Sequence, residues 1–261
     1  MLANKRGDQV GAVKNFQASL TQSELVNDTA GMAVAFYSIG STYRKMKEFD
    51  RGMEYLHRSL AMECALGRTT KEANCLQSIA NVYAELGDRL RAMKGYEEAY
   101  GIFVEHHDDI GAGIVQENIG DLLSDTSPKE ALIHYQLAFA LYDSARSDLD
   151  KAYVLRRLGR AHITLGDLKE AKADVESDRV LAVPSRAQEL VMDYELALAE
   201  LARAEGDGKV TFAHYERYVV MKDSHQGAET QTELDRLRTE FETERKERTM
   251  RCCAPRMTKG A

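Results

Sequence analysis

The sequence predicts an all-α protein built as a solenoid of antiparallel helix pairs, and three observations carry that prediction. Only three prolines and no tryptophan occur in 261 residues, against an abundance of Ala, Leu, Glu, Arg and Lys. These residues lose little rotamer freedom in a helix. Small residues recur at a period of 40: Gly40, Ala80, Gly120, Gly159 and Ala199 form one series, and Ala12, Gly52, Ala92, Ala131 and Ala171 a second, with Thr211 in its sixth place. Between the two series stand "LGD" at 86–88, "LGD" at 165–167 and "EGD" at 205–207. There glycine supplies the left-handed turn that ends one helix, and aspartate can cap the next.

Taken in order, residues 1–6 read as the tail of a first helix, Gly7-Asp8 as a turn, and "GAVKNFQASL" as a second helix without its partner. An array normally ends in a polar cap, because its terminal face otherwise exposes an apolar side. A start inside a repeat therefore suggests a fragment of a longer protein or a late start codon. Five complete pairs are expected from about residues 30, 70, 110, 149 and 188. Phe36, Ile39 and Tyr43 in the first pair, and Leu76, Ile79 and Tyr83 in the second, fall at spacings of three and four, one face of a helix. Each small residue is expected where the two helices of a pair cross. Both series step by 39 once, which places a one-residue deletion inside "DLLSDTSPKEAL", a turn where loss costs little. The array is expected to run to residue 225. A C-terminal helix at 226–250 follows, with Leu234, Leu237 and Phe241 able to cap the last pair, and then a disordered basic tail at 251–261. Beyond Phe241 that helix offers only Glu, Thr, Arg and Lys, so it must leave the solenoid or meet another chain, including a second copy in a homodimer.

Composition narrows the function. A hydrophobic content of 44% is enough for a substantial core. A net charge of -7 argues against nucleic acid as the main partner. No run approaches the roughly 18 apolar residues of a membrane span, and the first 20 residues lack a secretory signal. The chain is expected to be cytoplasmic, or periplasmic if the parent protein carries a signal or membrane segment. The four cysteines lack zinc-site spacing. Cys64 and Cys75 read as small core residues, and the adjacent Cys252 and Cys253 as incidental to a frayed tail.

The period, the small residues and the Gly-Asp turns together resemble the tetratricopeptide repeat family, in a long-helix variety, over residues 1 to about 225. His162 stands where that family usually has an aromatic residue, and Asp178 where it has alanine. The resemblance implies a right-handed superhelix whose concave groove is lined by the first helix of each pair. Carried over position by position, the groove holds Tyr37, Ser41, Arg44 and Lys45, then Gln77, Asn81 and Glu85. Glu117, Asn118, Asp121 and Asp125 come next, and then Arg156, Arg157 and Arg160. It should be banded basic, polar, acidic and basic. Asn81, Asn118 and Arg157 also fall where some relatives clamp a peptide carboxylate, although Gln77 and Tyr153 replace two lysines of that clamp. The stretch "FETERKER" at 241–248 is similar to the helix that joins such repeats to a histidine kinase or diguanylate cyclase in bacterial signalling proteins.

No catalytic constellation accompanies these features: no HExxH, GxSxG or P-loop occurs. "EHHDD" at 105–109 gathers metal-ligand types, but adjacent residues on a helix point about 100 degrees apart, so it reads as a solvated linker. "GAG" at 111–113 lacks a preceding strand and a third glycine. The expectation is a non-catalytic module without cofactor or metal that binds a protein or peptide in its groove, the sensor or scaffold part of a signalling protein. The alternatives are the regulatory fragment of a cyclase or kinase, and a scaffold acting through its C-terminal helix.

Overall fold

The computed structural model describes residues 9–182 and 188–222, and all regular secondary structure among them is helical. Helix α1 (Gln9–Leu25) precedes α2 (Thr29–Lys45) paired with α3 (Phe49–Ala65), and α4 (Thr69–Glu85) paired with α5 (Arg89–Glu105). Then come α6 (Asp109–Leu123) with α7 (Pro128–Ser144), α8 (Asp148–Leu165) with α9 (Leu168–Ala182), and α10 (Gln188–Ala204) with α11, described over 208–222. The chain divides into two compact units, 1–218 and 219–261. The expected features at residues 1–8 and 226–261, including Leu234, Leu237, Phe241, Cys252 and Cys253, lie outside the described residues.

From α1 to α10 each helix packs on the next along the chain, and the first helices of neighbouring pairs also meet, α4 on α6 and α8 on α10. This is the nearest-neighbour packing of an α-solenoid. The small series sit at the crossings. A side chain on Gly40 would meet Leu56 and the backbone of Gly52, and Ala80, Ala92, Ala131 and Ala171 are wholly buried. Around them Ile39, Leu56, Tyr96, Phe103 and Tyr142 are buried almost completely, each contributing about 1.5–3 kcal/mol of transfer free energy.

The turns within pairs use Gly87, Gly166 and Gly206 at φ of 80°, 84° and 82°. Asp88 and Asp207 cap the following helices by accepting from the backbone N–H of Arg91 and Val210, each at 3.0 Å. The connections between pairs are built the same way, which the sequence reading missed. Asn27, His107 and Arg146 adopt the left-handed conformation without glycine, and Asp28 and Asp108 cap α2 and α6. "EHHDD" is thus a solvated connection between pairs, as expected, but one built as a tight turn. Asp108 is spent on Gly111 N–H at 2.8 Å, and Asp109 accepts from Ser144 at 2.7 Å. The missing residue is absorbed at the end of α6, which has 15 residues where α2 to α5 have 17.

One expectation fails. Cys75 is buried beside Ser59, and burial pushes its thiol pKa up to about 11, but Cys64 is exposed. The adjacent Glu63 takes the inward position at the end of α3 and pairs with Arg68 at 3.2 Å.

Candidate functional site

Because a first helix repeats every 39 or 40 residues, equivalent positions stack side by side across the array. Ser41, Asn81, Asp121, Arg160 and Glu200 form one such row along α2, α4, α6, α8 and α10. Two cavities open along these helices. One of about 830 Å³ lies among α6, the start of α7, α8 and α10, and a second of about 490 Å³ lies among α4, α5 and α6. Asp121 and Asp125 line both.

Of the residues expected in the groove, Arg44, Asn81 and Asn118 line the smaller cavity, Arg156, Arg157 and Arg160 the larger, and Asp121 both. Tyr37, Lys45, Gln77 and Glu117 line neither. Tyr37 accepts at its hydroxyl from Ser78 at 3.0 Å, which ties α2 to α4. Gln77 is buried, and Lys45 is exposed. Arg44 pairs with Glu85 across the same two helices. Asn118 Nδ2 and Ser41 Oγ are buried without a hydrogen-bond partner.

Tyrosines from the second helices reach the acceptors of this face from behind. Tyr96 donates to Asn81 Oδ1 at 2.7 Å, and Tyr135 donates to Asp121 Oδ1 at 2.8 Å, the same contact one repeat apart. Tyr142 donates to Glu117 Oε2 at 2.9 Å. Sequence reasoning missed these three. For Tyr96 and Tyr135 the available signal was a tyrosine at a core position with an amide or carboxylate 14 or 15 residues earlier; Tyr142 and Glu117 are 25 residues apart and carry no such spacing.

The three arginines of α8 are not open cations. Arg156 meets Asp193 at 2.9 Å and lies 4.6 Å from the centre of the Tyr153 ring. Arg157 bridges Glu117 at 2.9 Å and Asp121 at 2.8 Å. Arg160 forms a bidentate pair with Glu200 at 3.0 and 3.1 Å. Burial raises the pKa of Glu117 against the opposing effects of Arg157 and Tyr142. Burial also keeps the Tyr135 hydroxyl protonated and donating, reinforced by Asp121. The basic band expected at α8 is therefore neutralised by α6 and α10. No cluster of three or more His, Cys, Asp or Glu suited to a metal occurs among the described residues, and no described helix is long and apolar enough to cross a membrane.

Known proteins give this geometry a context. A Rap protein complexed with Competence and Sporulation Factor superposes with a TM-score of 0.73 at 15% identity, over 95% of this chain and 69% of that one. BtubC from P. vanneervenii superposes with a TM-score of 0.70 at 14% identity, over 84% and 92%. The Rap conjugation gene regulator of plasmid pLS20, in complex with the Phr* peptide, gives 0.64 at 15% identity, over 87% and 72%. At these identities the likeness is one of fold. The Tonsoku-like protein of Bos taurus is 24% identical over 102 residues, a stretch covering 39% of this chain and 7% of that protein's length. Residues 33–63, from α2 into α3, match the model of the tetratricopeptide repeat family.

Proposed function

We propose that the chain is a non-catalytic interaction module that receives a protein segment or peptide along its first helices. The observation that carries this reading is that two cavities lie side by side along successive first helices and share Asp121 and Asp125 as lining residues. Such a cleft suits an extended segment rather than a small molecule, since repetition lengthens a surface without enclosing it. The unpartnered Asn118 Nδ2 at its wall offers a donor to a peptide carbonyl, and Arg44, Asn81, Asp121, Arg156, Arg157 and Arg160 frame the path. Two proteins of similar fold were solved with a bound factor or peptide, which supports the reading by analogy. Within a cell, the module would serve as the sensor or scaffold part of a signalling protein, the partner being protein and not nucleic acid.

The test is a pull-down from lysate with the wild type, Thr164→Trp and Glu97→Ala. Thr164 is exposed at the wall of the larger cavity, and tryptophan there fills the cleft. Glu97 is exposed on α5 and lines neither cavity. Partners retained by wild type and Glu97→Ala but lost with Thr164→Trp support the groove. Partners retained by all three place binding elsewhere.

A further inference from the structure

Resting on the groove reading, we propose that the occupant is a peptide presenting a Lys or Arg side chain between apolar residues, rather than one held by its carboxylates. Charge pairing carries the argument. At the wall of the larger cavity every arginine is already matched: Arg156 by Asp193, Arg160 by Glu200, and Arg157 by both Glu117 and Asp121. Asp125 lines the same wall with no hydrogen bond or ion pair to any described residue. In this larger cavity a ligand carboxylate would have to displace a protein carboxylate from its arginine, so exchange gains little there; the unmatched arginine, Arg89, which donates to Thr126, lines the smaller cavity. A ligand cation meets an unspent carboxylate at no such cost.

The faces leading into the cleft are apolar. On α6, Ile110 and Ile114 are 42% and 37% exposed and precede Glu117 and Asp121 at helical spacing. On α8, Leu149 is 52% exposed and precedes Tyr153 and Arg156 in the same way. Residues at spacings of three and four share a helix face, so an extended chain crossing α6 and α8 lies on apolar side chains at one edge and reaches Asp125 at the other. Leu196 continues the apolar lining on α10.

The probe is a random 12-residue phage-displayed library, panned on wild type after depletion on Thr164→Trp. Selected peptides are then synthesised as free acids and as amides and titrated by calorimetry. The expected pool is rich in Lys or Arg beside apolar residues, and binds equally with either terminus. Asp125→Asn should weaken it roughly two- to fivefold, the upper scale of an exposed charge pair. Arg160→Ala should tighten it by a similar factor, because it frees Glu200 into the cleft. Gain and loss at two exposed positions cannot both arise from unfolding. Acidic or free-carboxylate peptides that Arg160→Ala weakens would overturn this inference and leave the groove standing. A library yielding no peptide sensitive to Thr164→Trp would overturn both.

Discussion

Asp178→Ala should stabilise this protein at neutral pH and leave it unchanged or weaker in acid. Asp178 lies on α9, wholly buried, and neither carboxylate oxygen has a hydrogen-bond partner. It occupies the position filled in the three preceding pairs by Ser59, Ala99 and Ala138, each also fully buried. Ser59 escapes the cost by donating to the Ala33 carbonyl at 2.8 Å; an ionised carboxylate has no proton to donate. Burial pushes the Asp178 pKa up to about 6, opposed by Arg156 and reinforced by Asp193. The unfolded chain releases that proton near pH 3.9. Between about pH 4 and 6 the folded state therefore holds the extra proton, so stability falls as pH rises, and the full penalty is present above pH 6. A shift of about two units corresponds to about 3 kcal/mol. Alanine removes this penalty but leaves a small void costing about 1 kcal/mol, for a net gain of about 2 kcal/mol at pH 7.5. Urea denaturation followed by circular dichroism at pH 4.5, 6 and 7.5 measures it. The wild-type midpoint should fall relative to the variant's across that range; a constant difference would show that Asp178 keeps its ordinary pKa and is not an unpaired buried carboxylate.

Further outcomes follow from packing and chemistry. Ala92→Leu, at a wholly buried crossing of α4 and α5, should lower stability by about 1–3 kcal/mol by overpacking, read as a shifted urea midpoint without change of slope. Gly120→Ala places a methyl group against the ring of Tyr135 and should cost a similar amount. It should also loosen the Tyr135 bond to Asp121, visible as a changed tyrosine signal in near-ultraviolet circular dichroism. Purified chain should show no turnover of ATP or GTP that tracks with the protein through purification, since no nucleophile or nucleotide-binding constellation is present in the sequence.

The period of 40 made the architecture legible, because a small residue at every crossing is a steric requirement that survives when the rest of the signature drifts. Gly40, Ala80, Gly120 and Gly159 mark it even where His162 replaces the usual aromatic residue. In the structure His162 Nδ1 is hydrogen-bonded to Asp174 Oδ2 at 2.6 Å, a polar contact where the first pair stacks Tyr43 on Tyr55. Of the expected groove residues, Arg44, Asn81, Asn118, Asp121, Arg156, Arg157 and Arg160 line cavities while Tyr37, Lys45, Gln77 and Glu117 do not, and the charge pairing among them was not legible. Reading Arg156, Arg157 and Arg160 one helix at a time suggested available cations. The same period stacks position 160 against position 200, so Arg160 and Glu200 meet by construction. Rows of equivalent positions, rather than single helices, decide which charges remain for a ligand. The turns at Asn27, His107 and Arg146 escaped notice because they take the left-handed conformation without the glycine that announces it elsewhere.

The central claim, that a peptide lies in the cleft between the first helices, is tested most directly by photo-cross-linking. A selected peptide carrying a benzophenone group beside its basic residue is irradiated with the wild-type chain, and the attachment sites are mapped by mass spectrometry. The account predicts adducts around Asp121 and Asp125 at the end of α6 and on the facing residues of α8, near Ala161 and Thr164. Adducts confined to exposed positions of α3, α5 or α9 on the second helices, such as Glu97, would place the peptide outside the cleft and contradict it.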